Sequence, residues 1–143
     1  HPETAPPSWL LFLGKIASVL APKLHFSSGL PADFVSRDPE VVRAYVEDPL
    51  VQNKVSARWA TEFIAAQKSA FREAERMAVP TLVMQSGSDR LVDPAAARRW
   101  AEQAPGETTE FHEWPGLYHE MFNEPERRQV FEKMDAWLAE RLG

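Results

Sequence analysis

The chain has 143 residues, 44% of them hydrophobic, including five Trp and eight Phe, which is enough apolar volume for one ordinary domain and excludes a disordered polypeptide. Twenty-one acidic residues against 16 basic ones leave a net charge of -5, and with no basic stripe to neutralise a phosphate backbone, nucleic acid is excluded as a partner. The absence of cysteine rules out disulfides and thiolate sites, while compartment stays open between cytoplasm and a membrane surface.

The chain opens on "HPETAPPS", a loop composition, and then runs into "WLLFLGKIASVL" at residues 9–20. Gly14, Lys15 and Ser18 interrupt that run, which falls short of the ~20 apolar residues a membrane span needs. No basic segment precedes it, so it also fails as a signal peptide, but it can lie on a membrane surface. With no initiator Met, the chain reads as a piece of a longer polypeptide. "SRDPEVVRAYVEDPL" at residues 36–50 predicts a short helix bracketed by Pro39 and Pro49. A longer helix is expected over roughly residues 56–77, with Trp59, Phe63, Ala66, Ala70 and Ala74 marking its packed face, and residues 1–78 offer no convincing strand.

Beyond Val79 the order predicted is strand, helix, strand, helix. "PTLVMQSG" at residues 80–87 suits a strand buried on both faces. Asp93 followed by Pro94 marks a helix start, and Ala97, Trp100, Ala101 and Ala104 share one face before Pro105 and Gly106 end it. "TTEFHEWP" at residues 108–115 predicts the second strand. Asn123 with Glu126 three residues later reads as a capping box for a last helix carrying Val130, Phe131, Met134, Trp137 and Leu138. Two successive βα units imply parallel neighbouring strands, yet two strands alone make a poor parallel sheet.

Working residues of such sheets sit in loops at the carboxyl ends of the strands. That rule selects "SGSDRLVDP", which offers Asp89 and Asp93, and "PGLYHE", which offers His119. A carboxylate beside an imidazole fixes its tautomer and stabilises the imidazolium, the arrangement a general base needs. Asp89 is the better partner because Asp93 is accounted for as a helix cap. His1, His25 and His112 are scattered and carry no role, and no H-x-x-x-H or H-E-x-x-H motif supports a metal. Trp59, Phe63, Trp100 and Trp137 read as core rather than as ligand contacts.

"VPTLVMQSGSDRLVDP" followed by "FHEWPGLYHEMFNEPERRQVFEKMDAWLAERL" resembles the C-terminal half of an α/β-hydrolase of the monoacylglycerol lipase and lysophospholipase group, and "SRDPEVVRAYVEDPL" with "SARWATEFI" resembles the cap of that group. The resemblance implies the C-terminal part of an α/β-hydrolase fold: a helical cap over residues 1–78 and two parallel βα units of the catalytic domain over residues 79–143. It implies that Asp89 is the triad acid and His119 the triad histidine, with Leu91 and Val92 facing the alcohol side of a substrate pocket. The activity implied is hydrolysis of single-chain lipid esters without metal or organic cofactor, with the apolar cap lining an acyl tunnel or touching lipid. This sequence has no G-x-S-x-G elbow and no HGGG-like oxyanion segment. The nucleophile is therefore expected in an N-terminal partner piece of the same enzyme, and the chain alone is expected to be inactive. The alternatives are a peptidase or epoxide hydrolase of the same fold, or a non-catalytic interaction module derived from it.

Overall fold

A computed structural model describes residues 7–142; the loop composition at residues 1–6, and His1 with it, lies outside them. The order is α1 (Ser8–Leu20), β1 (His25–Ser27), α2 (Pro39–Glu47), β2 (Lys54–Ser56), α3 (Ala57–Glu73), β3 (Thr81–Ser86), α4 (Pro94–Gln103), β4 (Thr109–Trp114) and α5 (Arg127–Leu142). Short 3-10 turns at Ala32–Phe34, Ala74–Arg76 and Met121–Asn123 join them. No helix of the described residues is long and apolar enough to cross a membrane.

The first half is helical, but it contains a small antiparallel ribbon that the sequence pattern does not reveal: His25 pairs with Ser56, Phe26 with Val55 and Ser27 with Lys54. Three-residue strands are too short for an alternation to show. Ser56 ends the ribbon and caps α3, its hydroxyl accepting from the Trp59 amide at 3.2 Å. The face expected to pack α3 is the wrong one. Trp59 and Phe63 stack on each other at 4.9 Å and are exposed, as are Ala66 and Ala70. Of the expected face only Ala74 is buried; Ala57 is buried too, Thr61 and Ile64 partly so, and Thr61 meets the buried Ser18 of α1 at 2.8 Å. Packing against α1 chose this face over the one with more aromatic area.

In the second half β3 and β4 are parallel and in register from Thr81 opposite Thr109 to Ser86 opposite Trp114. Successive strand side chains point to opposite faces. Arg98 of α4 pairs with Glu113 and lies 4.9 Å from the centre of the Phe111 ring, whereas Lys133 of α5 pairs with Glu110. The two helices therefore cover opposite faces of the sheet, as a βαβα order requires. Asp93 caps α4 through the Ala95 amide at 3.0 Å, as predicted. Burial of β3 on both faces is not observed: only Gln85 and Ser86 are buried, because β4 is its one partner strand among the described residues.

The last helix starts later than the capping box suggests. Asn123 lies in the 3-10 turn and bonds Glu120, and α5 begins at Arg127. Pro125 is the reason, since the residue before a proline is kept out of the α region, and Glu124 is extended at ψ 159°. Of the expected α5 face, Val130 is buried, Met134 and Trp137 partly so, and Phe131 and Leu138 stay exposed. Leu117, Met121 and Val130 form a buried cluster, with Met84 and Trp114 packed against it. Leu117→Ala is expected to cost about 2–5 kcal/mol by leaving a cavity in that cluster, read as a lower urea midpoint at unchanged slope.

Candidate active site

The loop after β3 turns at Gly87, whose amide donates to the Trp114 carbonyl at 2.8 Å, and the Ser88 amide donates to the Leu117 carbonyl at 3.0 Å. The two loops at the carboxyl ends of the strands are thus bonded to each other. A Cβ at Gly87 would sit 3.2 Å from the Pro115 Cα and the Trp114 carbonyl oxygen, so a larger residue would crowd that backbone. Gly116, at φ +81°, supplies the left-handed residue that turns the second loop. Two residues either side of His119, Leu117 and Met121 are buried in the core cluster, which anchors the loop around the imidazole.

His119 Nδ1 lies 2.8 Å from Asp89 Oδ2. The Asp89 side chain is 2% exposed and that of His119 38%. An ionised carboxylate only accepts, so the proton of this bond is on Nδ1, which leaves Nε2 as the accepting nitrogen. The other Asp89 oxygen, Oδ1, accepts from the backbone amides of Leu91 at 2.8 Å and Val92 at 3.0 Å. Asp93 takes no part in this pair; it is the helix cap. Burial by itself would raise the Asp89 carboxyl, but the bonds from His119, Val92 and Leu91 together outweigh it and hold the group below the ordinary aspartate range. His119 is raised, first by its hydrogen bond to Asp89, against the opposing effect of burial and with help from the charges of Asp89 and Glu120.

Leu91 and Val92 are joined to the acid through their main chain, and both side chains keep some exposure. His25 is exposed in β1, and His112 lies in β4 with its ring 4.5 Å from that of Trp114; neither belongs to the site. Among the described residues no group of three or more His, Cys, Asp or Glu side chains comes together to hold a metal. One contributor escapes the sequence reading: Gln85 is buried and its Nε2 donates to the Ser86 carbonyl at 2.9 Å and reaches Asp89 Oδ2 at 3.4 Å. A long polar side chain inside an apolar strand was the available signal.

The signs of the two shifts fix where this pair supports the fold. His119 is raised, so its contribution is complete below its ordinary value near 6.5 and is lost as pH climbs through the folded value. Asp89 is lowered, so its contribution is complete above its ordinary value near 3.8 and is lost as pH falls through the folded value. The contribution is greatest between about pH 4 and 6.5. Asp89→Asn is expected to return the His119 titration, followed by NMR, to the ordinary range. Its stability deficit in urea is expected to be larger at about pH 5.5 than at about pH 9.

The chain matches the family described as Serine aminopeptidase, S33 over residues 1–126. It is 41% identical over 121 residues to "Phospholipase YtpA" of Bacillus subtilis, covering 84% of this chain and 47% of that protein. It is 37% identical over 134 residues to "Monoacylglycerol lipase" of Mycolicibacterium smegmatis, covering 93% and 48%. The crystal structure of Paleococcus ferrophilus monoacylglycerol lipase superposes with a TM-score of 0.88 at 31% identity, over 93% of this chain and 52% of that one. The chain spans about half the length of the curated relatives it matches. Its helical first half and paired parallel βα units have the architecture of part of an α/β-hydrolase, and the chain belongs to the Serine aminopeptidase, S33 family.

Proposed function

We propose that Asp89 and His119 are the acid and base of a Ser-His-Asp triad that hydrolyses carboxylic esters of single-chain lipids. The observation that carries this reading is the 2.8 Å bond from His119 Nδ1 to a buried Asp89 at the carboxyl rim of a parallel strand pair. The names of the two bacterial relatives, a phospholipase and a monoacylglycerol lipase, support the substrate class.

In this reading the serine comes from a segment N-terminal to the chain, which also supplies the strands that pair along the free edge of the β3–β4 sheet and the oxyanion hole. Residues 1–78 act as the cap and residues 79–143 as the C-terminal part of the catalytic domain. His119 Nε2 takes the serine proton as the hydroxyl oxygen bonds to the ester carbon. The carbonyl oxygen gains negative charge, and the imidazolium, stabilised by Asp89, protonates the departing alcohol as its bond to the acyl carbon breaks. Water then repeats the cycle on the acyl-enzyme, releasing the fatty acid and restoring the serine. Without the serine this chain alone turns over no ester. Leu91 and Val92, fixed to Asp89 through their amides, face the leaving alcohol. The apolar outer residues of α1, Trp9 at 64% and Phe12 at 63% exposed, meet the lipid surface from which substrate is drawn.

A fluorophosphonate, which reacts only with an activated serine, tests the triad. The chain joined to its serine-bearing segment is expected to be labelled, and His119→Ala to slow labelling by roughly 10³-fold or more, since triad members act as a unit. An unlabelled wild-type assembly would overturn the hydrolase reading.

A further inference from the structure

The carboxylate of Glu124 is completely buried, five residues beyond His119 on the same loop, where a lone charge is unfavourable unless it is paired. Its partner is Arg37 of the first half. Glu124 Oε1 accepts the Arg37 backbone amide at 2.8 Å and Oε2 accepts Arg37 Nε at 2.5 Å, while the same guanidinium also pairs with Glu126. The neighbouring bonds join the same two segments. The Ser36 hydroxyl donates to the Asn123 carbonyl at 3.3 Å, the Glu120 amide donates to the Val35 carbonyl at 2.8 Å, and the His119 amide reaches the Phe34 carbonyl at 3.5 Å. Phe34, Val35 and Ser36 are all buried, and the Phe34 ring lies 3.6 Å under the Arg90 guanidinium, next to Asp89 in sequence. Residues 34–37 thus touch both loops of the acid–histidine pair.

We propose that Glu124, held by Arg37, is a positioning residue that sets the His119 imidazole against Asp89. The loop carrying His119 is fixed on its near side by Gly116, Leu117 and the Ser88 bond; on its far side the 3-10 turn Met121–Asn123, with Met121 in the core cluster, leads into Glu124. Loss of the Glu124 bonds leaves that side with Met121 and the Glu120 and Ser36 bonds alone, and lets the turn shift along residues 34–37 so that Nδ1 leaves the 2.8 Å contact. Because Arg37 is 87 residues away in sequence, the same tether makes the histidine's placement depend on how the first half sits. The importance of the tether for catalysis rests on the reading of Asp89 and His119 as triad members, but the placement of the ring does not.

The test uses Glu124→Gln, Glu124→Ala and Arg37→Ala in the chain joined to its serine-bearing segment, with two readouts. Fluorophosphonate labelling is expected to slow about 10-fold in Glu124→Gln and about 10²-fold in Glu124→Ala, the size of effect that a displacement near 1 Å produces. The His119 titration, followed by NMR of the ring, is expected to fall toward the ordinary histidine range in all three. Arg37→Ala removes a positive charge, whose loss by field alone would raise the histidine, so a fall in that variant reports a moved ring and not a changed field. If Glu124→Ala does not fold, Arg37→Ala decides, since it keeps the loop sequence intact. A His119 titration unchanged from wild type in the folded variants would overturn the proposal, whatever the labelling does. Should the wild type itself not label while the titration still responds to Glu124, the positioning role stands and the hydrolase reading falls.

Discussion

The site depends on the parallel pairing of β3 with β4, in register up to Ser86 opposite Trp114. Parallel strands present their carboxyl ends on one rim, so the loops that leave them start side by side. Here the pairing continues past the strand ends, through the Gly87 amide on the Trp114 carbonyl and the Ser88 amide on the Leu117 carbonyl. A slip of one residue would change which side chains face α4 and which face α5, and would carry Asp89 away from His119 by about one 3.3 Å step. The register, more than any bond within the pair, is what delivers the 2.8 Å contact.

Much of this was legible in the sequence where the signal is local. Asp93 followed by Pro94 stops β-type backbone and starts α4 as it would in a peptide, and the two strand runs end at glycine or proline as turn chemistry demands. Asp89 and His119 follow from the rim rule and from the family resemblance together. The failures are equally physical. Asn123 has the right spacing for a capping box, yet Pro125 denies Glu124 the helical backbone that the box would need. The ribbon of β1 and β2 is three residues a side, below the length at which alternation is visible. Trp59 and Phe63 fit a packed helix face by spacing, but which face packs is decided by α1, a tertiary choice that helical periodicity cannot express. Gln85 and the Arg37–Glu124 bond are long-range or buried polar contacts, and nothing in the local pattern pairs a residue with another 87 positions away.

Hydrogen bonds help to hold the first half to the second. Where residues 34–37 meet residues 119–124, the contact includes main-chain bonds, the Ser36 hydroxyl bond and an ion pair whose carboxylate is buried. Buried pairs of this kind contribute little net stability compared with an apolar substitute, but breaking one leaves a bare buried charge. They specify one arrangement and penalise others. Meanwhile the apolar side chains of α1, from Trp9 to Leu20, remain on the surface. Exposed apolar surface on this scale marks a place of contact. On the proposed reading, a first half aligned by polar bonds on one side and apolar on the other would bring a lipid surface to His119 without burying its apolar face in its own core.

The electrostatics of the pair add a last consideration. Raising the histidine favours its protonated form, and a histidine is a base only when neutral. The opposing influence is already present, since burial lowers His119, and it is incomplete because 38% of the side chain is exposed. On the proposed reading, a serine-bearing segment packed over Nε2 would remove that exposure and strengthen the effect that favours neutral imidazole. Asp89, with two backbone amides on Oδ1, would stay ionised throughout and ready to stabilise the imidazolium when it forms. The segment that brings the nucleophile would therefore also tune the base, so acid, base and nucleophile become competent together when the sheet is completed.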